Sequence, residues 1–386
     1  MTMELPAIAR IAAALVAALL ISFIATPVVK SIAQMVGAVD VPKDNRRMHN
    51  HPIPRMGGLA IFLGFLLSTL IFVPMSSSMR GMLLGGVIIV ILGIFDDIYA
   101  LPKLLVQIAA ALVAVLHGNV IQVLSNPNIF SENPYWTLGS LAVPLSVIWI
   151  VAITNAVNLI DGLDGLAVGV ATISSLTMLV IAMLVSENVV ALMMAALAGG
   201  CIGFMPYNLN PAKIFMGDTG STFLGFVLAT VSIQGLFKFY TIISFAVPFL
   251  MLGLPLFDTC FAILRRLAKG QSPMAPDRSH VHHRLIDMGF NQKQAVAILY
   301  VISAILGLSA VVLTTSGALK AMVLLCALCL AGLISGKIFL SHNENHQEKT
   351  KEKESNDHAI ESHDDLRDPP GGGEDGPSGK GTGEQS

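Results

Sequence analysis

The stretch that decides the fold of this chain reads Gly81-Met-Leu-Leu-Gly-Gly-Val-Ile-Ile-Val-Ile-Leu-Gly-Ile-Phe-Asp96-Asp97. An apolar run of roughly 20 residues spans the hydrocarbon core of a bilayer as a helix. We therefore predict a membrane helix over residues 81–100. An ionisable side chain at bilayer depth costs about 2.5–3.5 kcal/mol even on the lenient insertion scale. Two adjacent acids at the end of such a run therefore indicate a function.

The composition extends this prediction to the whole chain. Of its 386 residues, 54% are hydrophobic and only 12% are charged, whereas a soluble domain carries about 25% charged residues. The pattern predicts an all-α, polytopic membrane protein with about eleven transmembrane helices. These are expected at about 8–29, 57–74, 81–100, 104–124, 138–156, 166–186, 189–207, 221–237, 241–264, 294–314 and 319–340.

The distribution of Lys and Arg predicts the orientation of these helices. Thirteen of them lie in the connections 30–56, 96–103, 155–165, 208–220 and 265–293, and three lie in the opposite set. Because positive loops stay inside, we expect the first set on the cytoplasmic side, the N-terminus outside and the C-terminus in the cytoplasm. The same five connections hold nine of the thirteen acids before residue 341. This pattern indicates an enzyme with a carboxylate-rich active site at the cytoplasmic face of the membrane.

The composition changes at about Ser341. The tail, residues 341–386, has twelve acids, five bases and almost no large apolar residues. Such a segment cannot bury enough apolar surface to fold. We therefore predict a transmembrane catalytic domain over residues 1–340 and a disordered acidic cytoplasmic tail over 341–386.

Two of the cytoplasmic connections carry features suited to binding phosphate. Arg55 precedes Gly57-Gly58, and a glycine pair that opens a helix lets backbone N–H groups approach an anion. Asp96 and Asp97 are followed by Lys103. Two carboxylates with a nearby cation suit phosphoryl transfer, in which a metal or a base meets a group that neutralises phosphate oxygens.

Two further connections add amide and carboxylate side chains. Asn155, Asn158 and Asp161 share one helical face if the segment is helical, and Asp161 is followed by Gly-Leu-Asp164-Gly. Asp218 stands at the start of the next apolar helix. Asp is a favoured helix cap there, but the same position aims a helix N-terminus and a metal-binding acid at a phosphate.

The last connection contains His280-Val-His282-His283-Arg284. Three histidines in four residues suggest zinc. However, this loop has no Cys and no second cluster of ligands at metal spacing. An anionic or sugar ligand is the better interpretation.

These motifs together resemble one family, the polyprenyl-phosphate N-acetylhexosamine-1-phosphate transferases. The resemblance rests on the Asp96-Asp97 pair, the Asn-x-x-Asn-x-x-Asp-Gly-x-Asp-Gly run, the Phe-Met-Gly-Asp-x-Gly-Ser run and the His-x-His-His loop. It extends from the first helix to about Tyr300. One bacterial branch transfers phospho-N-acetylmuramoyl-pentapeptide, and the other transfers N-acetylglucosamine 1-phosphate. The single Val within the histidines and the eleven predicted helices favour the second branch, and residues 44–58 look closest to the teichoic-acid-linkage enzymes.

The resemblance implies the reaction and a role for each motif. Undecaprenyl phosphate and UDP-N-acetylglucosamine would give undecaprenyl-pyrophosphoryl-N-acetylglucosamine and UMP, with Mg²⁺, or Mn²⁺ as a substitute, as cofactor. Asp218 and Asn158 would bind the metal. Asp96 and Asp97 would face the lipid phosphate, one of them as base, and Lys103 would hold phosphate. Asp161 stays open between a supporting role and a substrate contact.

The remaining residues would bind the soluble substrate. The resemblance assigns a uridine pocket to Leu163, Asp164, Asn208 and Phe215, and it assigns sugar and pyrophosphate contacts to His280, His282, His283 and Arg284. From their positions, Arg55 and Asn155 are further candidates for substrate binding.

The resemblance also implies a multi-pass protein of the bacterial cytoplasmic membrane that starts a cell-envelope polymer. Its partners would be the two substrates and membrane lipid, without nucleic acid, and a homodimer stays open. Two alternatives remain: the phospho-N-acetylmuramoyl-pentapeptide transferase of peptidoglycan synthesis, and a transporter of a lipid-linked solute. A transporter would place its polar residues near the middle of the bilayer on broken helices.

Overall fold

The computed structural model describes residues 5–41, 51–99, 102–125, 133, 135–235, 242–272 and 280–316. The helices are α1 Leu5–Met35, α2 Gly58–Phe72, α3 Ser77–Tyr99, α4 Leu104–Leu116, α5 Ala142–Leu159, α6 Leu166–Leu184, α7 Asn188–Asn208, α8 Gly217–Gly235, α9 Ile242–Met251, α10 Gly253–Ala268, α11 Val281–Asp287 and α12 Gln292–Ser316. A 3₁₀ turn, Gly139–Leu141, precedes α5. Two short antiparallel ladders, which the sequence did not predict, pair β1 Val39–Asp40 with β2 Ile53–Pro54 and β3 Val123–Ser125 with β4 Tyr135–Thr137.

Six helical segments of the described chain are long and apolar enough to cross a membrane. They are Pro6–Met35, Ser77–Tyr99, Gly139–Leu159, Leu166–Leu184, Asn188–Asn208 and Gln292–Thr314, and the apolar helices Gly58–Phe72 and Leu104–Leu116 are shorter. The fold is therefore that of an all-α, multi-pass membrane protein. The predicted helix 319–340 and the predicted tail 341–386 lie outside the described residues.

Helix α8 lies at the centre of the described helices. Every residue from Thr219 to Gly235 is buried, and α8 packs against α2, α3, α5 and α6. The ring of Phe223 makes edge contacts with Phe62 at 5.3 Å and with Phe65 at 5.6 Å between ring centroids. This packing fixes α8 along its length, so its first residues, including Asp218, are held in place.

The predicted helix 241–264 is wrong in one respect, because the structure divides it into α9 and α10 at Leu252. The apolar pattern is the same on both sides of the break, so periodicity does not reveal it. Pro255 has no N–H to donate to the carbonyl of Met251, and Gly253 resists helix formation. These residues account for the interruption.

The predicted helix 104–124 also ends early, at Leu116. Gly118 adopts a φ of +105°, and its N–H bonds to the carbonyl of Val115 at 3.0 Å. A glycine with positive φ is a common helix terminator. The Asn119 backbone N–H and side-chain amide both donate to the carbonyl of Ala114, at 3.2 Å and 2.9 Å, and so close the helix end.

Candidate active site

Asp97 holds the first turn of α8. Its carboxylate accepts the backbone N–H of Asp218 at 3.0 Å, the backbone N–H of Thr219 at 3.2 Å and the Thr219 hydroxyl at 2.7 Å. Gly217, with a φ of +71°, allows this approach, since a side chain there would strike the Asp97 carboxylate. The end of α3 is thereby fastened to the beginning of α8.

Lys103 lies between two carboxylates. Its ammonium group donates to Asp218, and its Nζ is 2.9 Å from Oδ2 of Asp96. Burial alone would lower the pKa of Lys103, but the charges and hydrogen bonds of Asp218 and Asp96 outweigh it and raise that pKa. Lys103 is therefore a cation at neutral pH, placed where negative charge is concentrated.

Asn158 joins the same group from α5. Its Nδ2 donates to Oδ1 of Asp218 at 2.6 Å and to the hydroxyl of Ser221 at 2.7 Å. Because both hydrogen bonds use the amide nitrogen, the amide oxygen is the part of Asn158 left to serve as an acceptor. Helices α3, α5 and α8, with the residue before α4, thus bring Asp96, Lys103, Asn158 and Asp218 together.

A cavity of about 330 Å³ opens beside this cluster. Its lining comprises Asp40, Arg55, Asn158, Asp161, Gly162, Leu163, Asp164, Asn208, Phe215, Gly217, Asp218, His283 and Gln292. The four residues that the resemblance assigns to a uridine pocket are all in this lining.

Asp161 and Arg55 are two ionisable residues in the lining of the cavity. Burial, and then the negative charges of Asp218 and Asp97, raise the pKa of Asp161 to about 8, although the positive charge of Arg55 opposes them. Asp161 is therefore mostly protonated at pH 7 in this arrangement. Arg55 forms an ion pair with Asp40, with 3.4 Å between Nη2 and Oδ1.

A hydrogen-bonded frame holds the part of the cavity around Asp164. The Oδ2 of Asp164 accepts Nδ2 of Asn210 and the backbone N–H of Ala212, both at 3.0 Å. Asn210 also donates to Oε1 of Gln292 at 2.7 Å. This frame connects the α5–α6 loop with the α7–α8 loop and with the first turn of α12.

Asn208 and Phe215 are fixed through the backbone. The Asn208 side chain accepts the N–H of Gly165 at 3.2 Å and donates to the carbonyl of Ile214 at 3.0 Å. The N–H of Phe215 bonds to the carbonyl of Pro54 at 2.8 Å, and the N–H of Gly57 bonds to the carbonyl of Phe215 at 2.9 Å. The Gly57-Gly58 turn is thus used to dock the α7–α8 loop.

The His loop (residues 280–284) reaches the cavity through one of its histidines. His283 is part of the lining, whereas His280 and His282 are buried at 5% and 3% exposure. Burial, and then the neighbouring His283, lower the pKa of His282 to about 4, so His282 is neutral at pH 7. Arg284 is exposed and is not among the lining residues.

Asn155 lies elsewhere than the sequence suggested. It is one turn from Asn158 on α5, but its Nδ2 donates to Oε1 of Gln107 and to the carbonyl of Val151, each at 2.8 Å. It is not part of the cavity lining. Asn155 therefore connects α5 to α4 behind the cluster, and a direct substrate contact has no support in this arrangement.

The donors of the cluster suit a hard cation. Among the described residues, no three His, Cys, Asp or Glu side chains group at metal-binding distance. Mg²⁺ needs no such cage, because it is commonly held by one or two carboxylates together with waters and substrate phosphates. Asp218 and the oxygen of Asn158 supply donors of that kind. The three histidines of the His loop do not form a zinc site within the described chain.

Several residues of the site were missed from the sequence. Asn210 and Gln292 gave no signal beyond being polar. Asp40 is one of the nine acids of the predicted cytoplasmic connections, but its position there does not assign it to the site. Asp258 had a usable signal: it is a lone acid inside the apolar run predicted as helix 241–264, and an acid in such a run is a functional candidate by default.

The chain is similar in sequence to known proteins of one family. Residues 79–236 match glycosyl transferase family 4. The chain is 43% identical over 311 residues to the "Probable undecaprenyl-phosphate N-acetylglucosaminyl 1-phosphate transferase" of Bacillus subtilis (strain 168), covering 80% of this chain and 86% of the relative.

Two more distant relatives carry similar names. The "Decaprenyl-phosphate N-acetylglucosaminephosphotransferase" of Mycobacterium tuberculosis (strain ATCC 25618 / H37Rv) is 35% identical over 319 residues, 73% of this chain and 77% of the relative. The "Undecaprenyl-phosphate alpha-N-acetylglucosaminyl 1-phosphate transferase" of Thermotoga maritima is 33% identical over 265 residues, 68% of this chain and 78% of the relative.

Proposed function

Because the chain belongs to glycosyl transferase family 4, together with these N-acetylglucosaminyl 1-phosphate transferases, we propose that it transfers N-acetylglucosamine 1-phosphate from UDP-N-acetylglucosamine to undecaprenyl phosphate. The products are undecaprenyl-pyrophosphoryl-N-acetylglucosamine and UMP. The observation that carries this proposal is the position of Lys103, held between Asp96 and Asp218 beside a cavity lined by Asp164, Asn208 and Phe215.

In this reaction an oxygen of the lipid phosphate attacks the β-phosphorus of the nucleotide sugar. A bond forms between that oxygen and the β-phosphorus, and the bond from the β-phosphorus to the bridging oxygen of UMP breaks. The lipid phosphate is already an anion at neutral pH, so the protein mainly aligns the two reactants and neutralises their charge. Lys103 is well placed to offset charge on a phosphate.

The carboxylates divide into two roles. Asp97 is occupied in holding the first turn of α8, so we assign it to keeping Asp218 in position. Asp96 lies against Lys103, and we assign it to orienting that ammonium group and facing the lipid phosphate. Asp161 lines the cavity between these residues and the uridine pocket, and we assign it a substrate contact.

We propose Mg²⁺ as the cofactor, held by Asp218 and Asn158, with Mn²⁺ as a substitute. When bound, the metal neutralises charge on the pyrophosphate of the nucleotide sugar. The oxygen-only donor set favours a hard cation of this kind. The side chains of Asp218 and Asn158 are held in orientation for the metal because Asn158 donates hydrogen bonds to both Asp218 and Ser221.

On the other side of the cavity we place the soluble substrate. Phe215 offers a ring for stacking against uracil, and Asn208 and Asp164 supply polar groups at fixed positions. His283 reaches the cavity from the His loop and can donate a hydrogen bond to a sugar hydroxyl or a phosphate oxygen. The relatives' names support N-acetylglucosamine over the muramoyl-pentapeptide alternative.

The location of the reaction follows from the charge asymmetry of the connections. We propose a protein of the bacterial cytoplasmic membrane with eleven spanning helices, the N-terminus outside and the C-terminus inside, and the cavity open to the cytoplasm, where UDP-sugars are found. The product would enter a cell-envelope polymer such as teichoic acid. A transporter is the less favoured class, since the polar residues that line the cavity lie at helix ends and in loops, whereas a transporter would carry them on helices broken near mid-bilayer.

The proposal is tested by measuring UMP release from purified protein in lipid or detergent with undecaprenyl phosphate and Mg²⁺. UDP-N-acetylglucosamine should support release, and UDP-N-acetylmuramoyl-pentapeptide should not. Mass measurement of the purified protein separately decides whether it is a homodimer.

A further inference from the structure

A buried carboxylate on α10 fastens the beginning of the His loop. Oδ2 of Asp258 lies 2.9 Å from Nδ1 of His280, and Oδ1 accepts the backbone N–H of Val281 at 2.9 Å. Asp258 and His280 are each only 5% exposed. The two carboxylate oxygens thus contact two successive residues at the start of α11, one through its side chain and one through its backbone. We call these two contacts of Asp258 the clamp.

The clamp is connected to the cavity through three neighbouring imidazole rings. The rings of His280 and His282 are nearly parallel, at 9° with 5.8 Å between centroids, and His282 lies 4.2 Å from His283. His282 also lies directly over Gly162, where any side chain would collide with its ring. Since His283 and Gly162 both line the cavity, a continuous series of contacts leads from α10 to the cavity wall.

We propose that Asp258 is a positioning residue for the soluble substrate, which acts by holding His280 so that the His loop presents His283 to the cavity. This inference rests on the proposed transferase function. Asp258 is not part of the cavity lining, and its two hydrogen bonds go to the His loop, so it acts through that loop and not on the reacting atoms.

The chemistry of the pair explains why an acid is used here. A buried carboxylate is costly unless its oxygens are hydrogen-bonded, and here both are. A carboxylate that accepts from Nδ1 fixes the orientation and tautomer of an imidazole ring. An asparagine at residue 258 would have one acceptor oxygen and one NH₂ group, which only donates. Either the ring N–H of His280 or the backbone N–H of Val281 would then face the NH₂ group and lose its acceptor.

The test compares Asp258→Asn with Asp258→Glu and with Asp287→Asn in the full-length protein. Asp287 is an exposed acid at the end of α11 and gives a matched control for the loss of one carboxylate near the loop. We expect Asp258→Asn to raise KM for UDP-N-acetylglucosamine about tenfold, the loss typical of one hydrogen bond to a charged group. KM for undecaprenyl phosphate should change less than about twofold, because the His loop is proposed to bind the soluble substrate.

Two further results are expected if Asp258 positions the loop. Asp258→Glu should recover part of the lost affinity, and Asp287→Asn should match wild type. In a double-mutant cycle, Asp258→Asn combined with His280→Gln should cost no more than the larger single change, because both changes disrupt the contact between Asp258 and His280. If Asp258→Asn does not yield folded protein, His280→Gln is tested by itself, since it keeps the hydrogen bond from the Val281 N–H to Asp258. It should likewise raise KM for UDP-N-acetylglucosamine and not KM for undecaprenyl phosphate.

The inference is overturned if Asp258→Asn retains the wild-type KM for UDP-N-acetylglucosamine, if KM rises equally for both substrates, or if the cycle is additive. These outcomes are separate from failure of the proposed function, in which the wild-type protein itself releases no UMP.

Discussion

Asp97 caps the helix that carries Asp218, with 3.0 Å between its carboxylate oxygen Oδ1 and the Asp218 backbone nitrogen. One acid of the adjacent pair therefore builds the site, while the other, Asp96, meets Lys103. From adjacent positions on one helix, Asp97 thus accepts hydrogen bonds from the backbone of α8, and Asp96 contacts the Lys103 cation.

The first prediction concerns Asp218. Asp218→Asn should leave the protein folded but lower UMP release about 10²–10³-fold, the usual effect of removing one group that stabilises developing charge. It weakens the contact with Lys103 and removes a donor from the proposed metal site. Asp287→Asn is the matched control. Near-normal Mg²⁺-dependent turnover in the Asp218 variant would remove this residue from the metal site.

A second prediction separates the structural role of Asp97 from chemistry. Asp97→Asn should lower both turnover and the free energy of unfolding, the latter by about 0.5–2 kcal/mol, as for the loss of a helix cap. Thr219→Val, which removes only the hydroxyl bond to Asp97, should lower stability less. Denaturation in detergent measures the free energy of unfolding of both variants. An Asp97→Asn variant as stable as wild type would mean that the cap contributes nothing.

The third prediction is a dependence of stability on pH. The pKa of His282 is lowered in the folded protein from 6.5 to about 4. Between these values the unfolded chain binds a proton that the folded chain does not, so stability falls as pH drops from about 6.5 toward 4. Above pH 6.5 this residue has no such effect.

His282→Gln should therefore flatten that part of the profile of melting temperature against pH. A slope unchanged in the His282 variant would show that this ring is not buried in its neutral form.

A fourth prediction distinguishes two residues of the His loop. His283 lines the cavity and Arg284 is exposed, so His283→Ala should raise KM for UDP-N-acetylglucosamine more than Arg284→Ala does. Neither should much affect KM for undecaprenyl phosphate. A larger effect at Arg284, or an effect confined to the lipid substrate, would contradict this placement of the loop.

The fifth prediction is topological and tests the proposed orientation. Reporters fused after Ser77, Asn133 and Glu187 should lie outside, and those after Asn45, Gln271 and Asn345 should lie inside. A reporter found outside at Asn345 would reduce the number of spans to ten and weaken the choice of the N-acetylglucosamine branch.

Much of the site could be predicted because charges are rare in this chain. In an apolar sequence each acid or amide stands out, which singles out Asp96, Asn158 and Asp218, and the family resemblance then assigns them to one site. What could not be predicted is the partner of each group. Asp97 is bonded to backbone N–H groups, which every sequence has, and Asn155 is turned toward Gln107 although its spacing from Asn158 is that of one helical turn.

The fold shows the same division. Apolar length and periodicity predict helices, so α1, α3, α6 and α7 lie close to their expected ranges. The break at Leu252 depends on Pro255 and Gly253 within an unchanged apolar pattern, and periodicity does not detect it. Asp258 was overlooked for the same reason, since it was counted as part of a continuous membrane helix.

The central claim is tested most directly by UMP release from the purified wild-type protein with undecaprenyl phosphate, Mg²⁺ and each of the two candidate nucleotide sugars. The account predicts release with UDP-N-acetylglucosamine, loss of release on chelation of the metal, and none with UDP-N-acetylmuramoyl-pentapeptide. Release with the pentapeptide substrate alone, or no release with either, would contradict it.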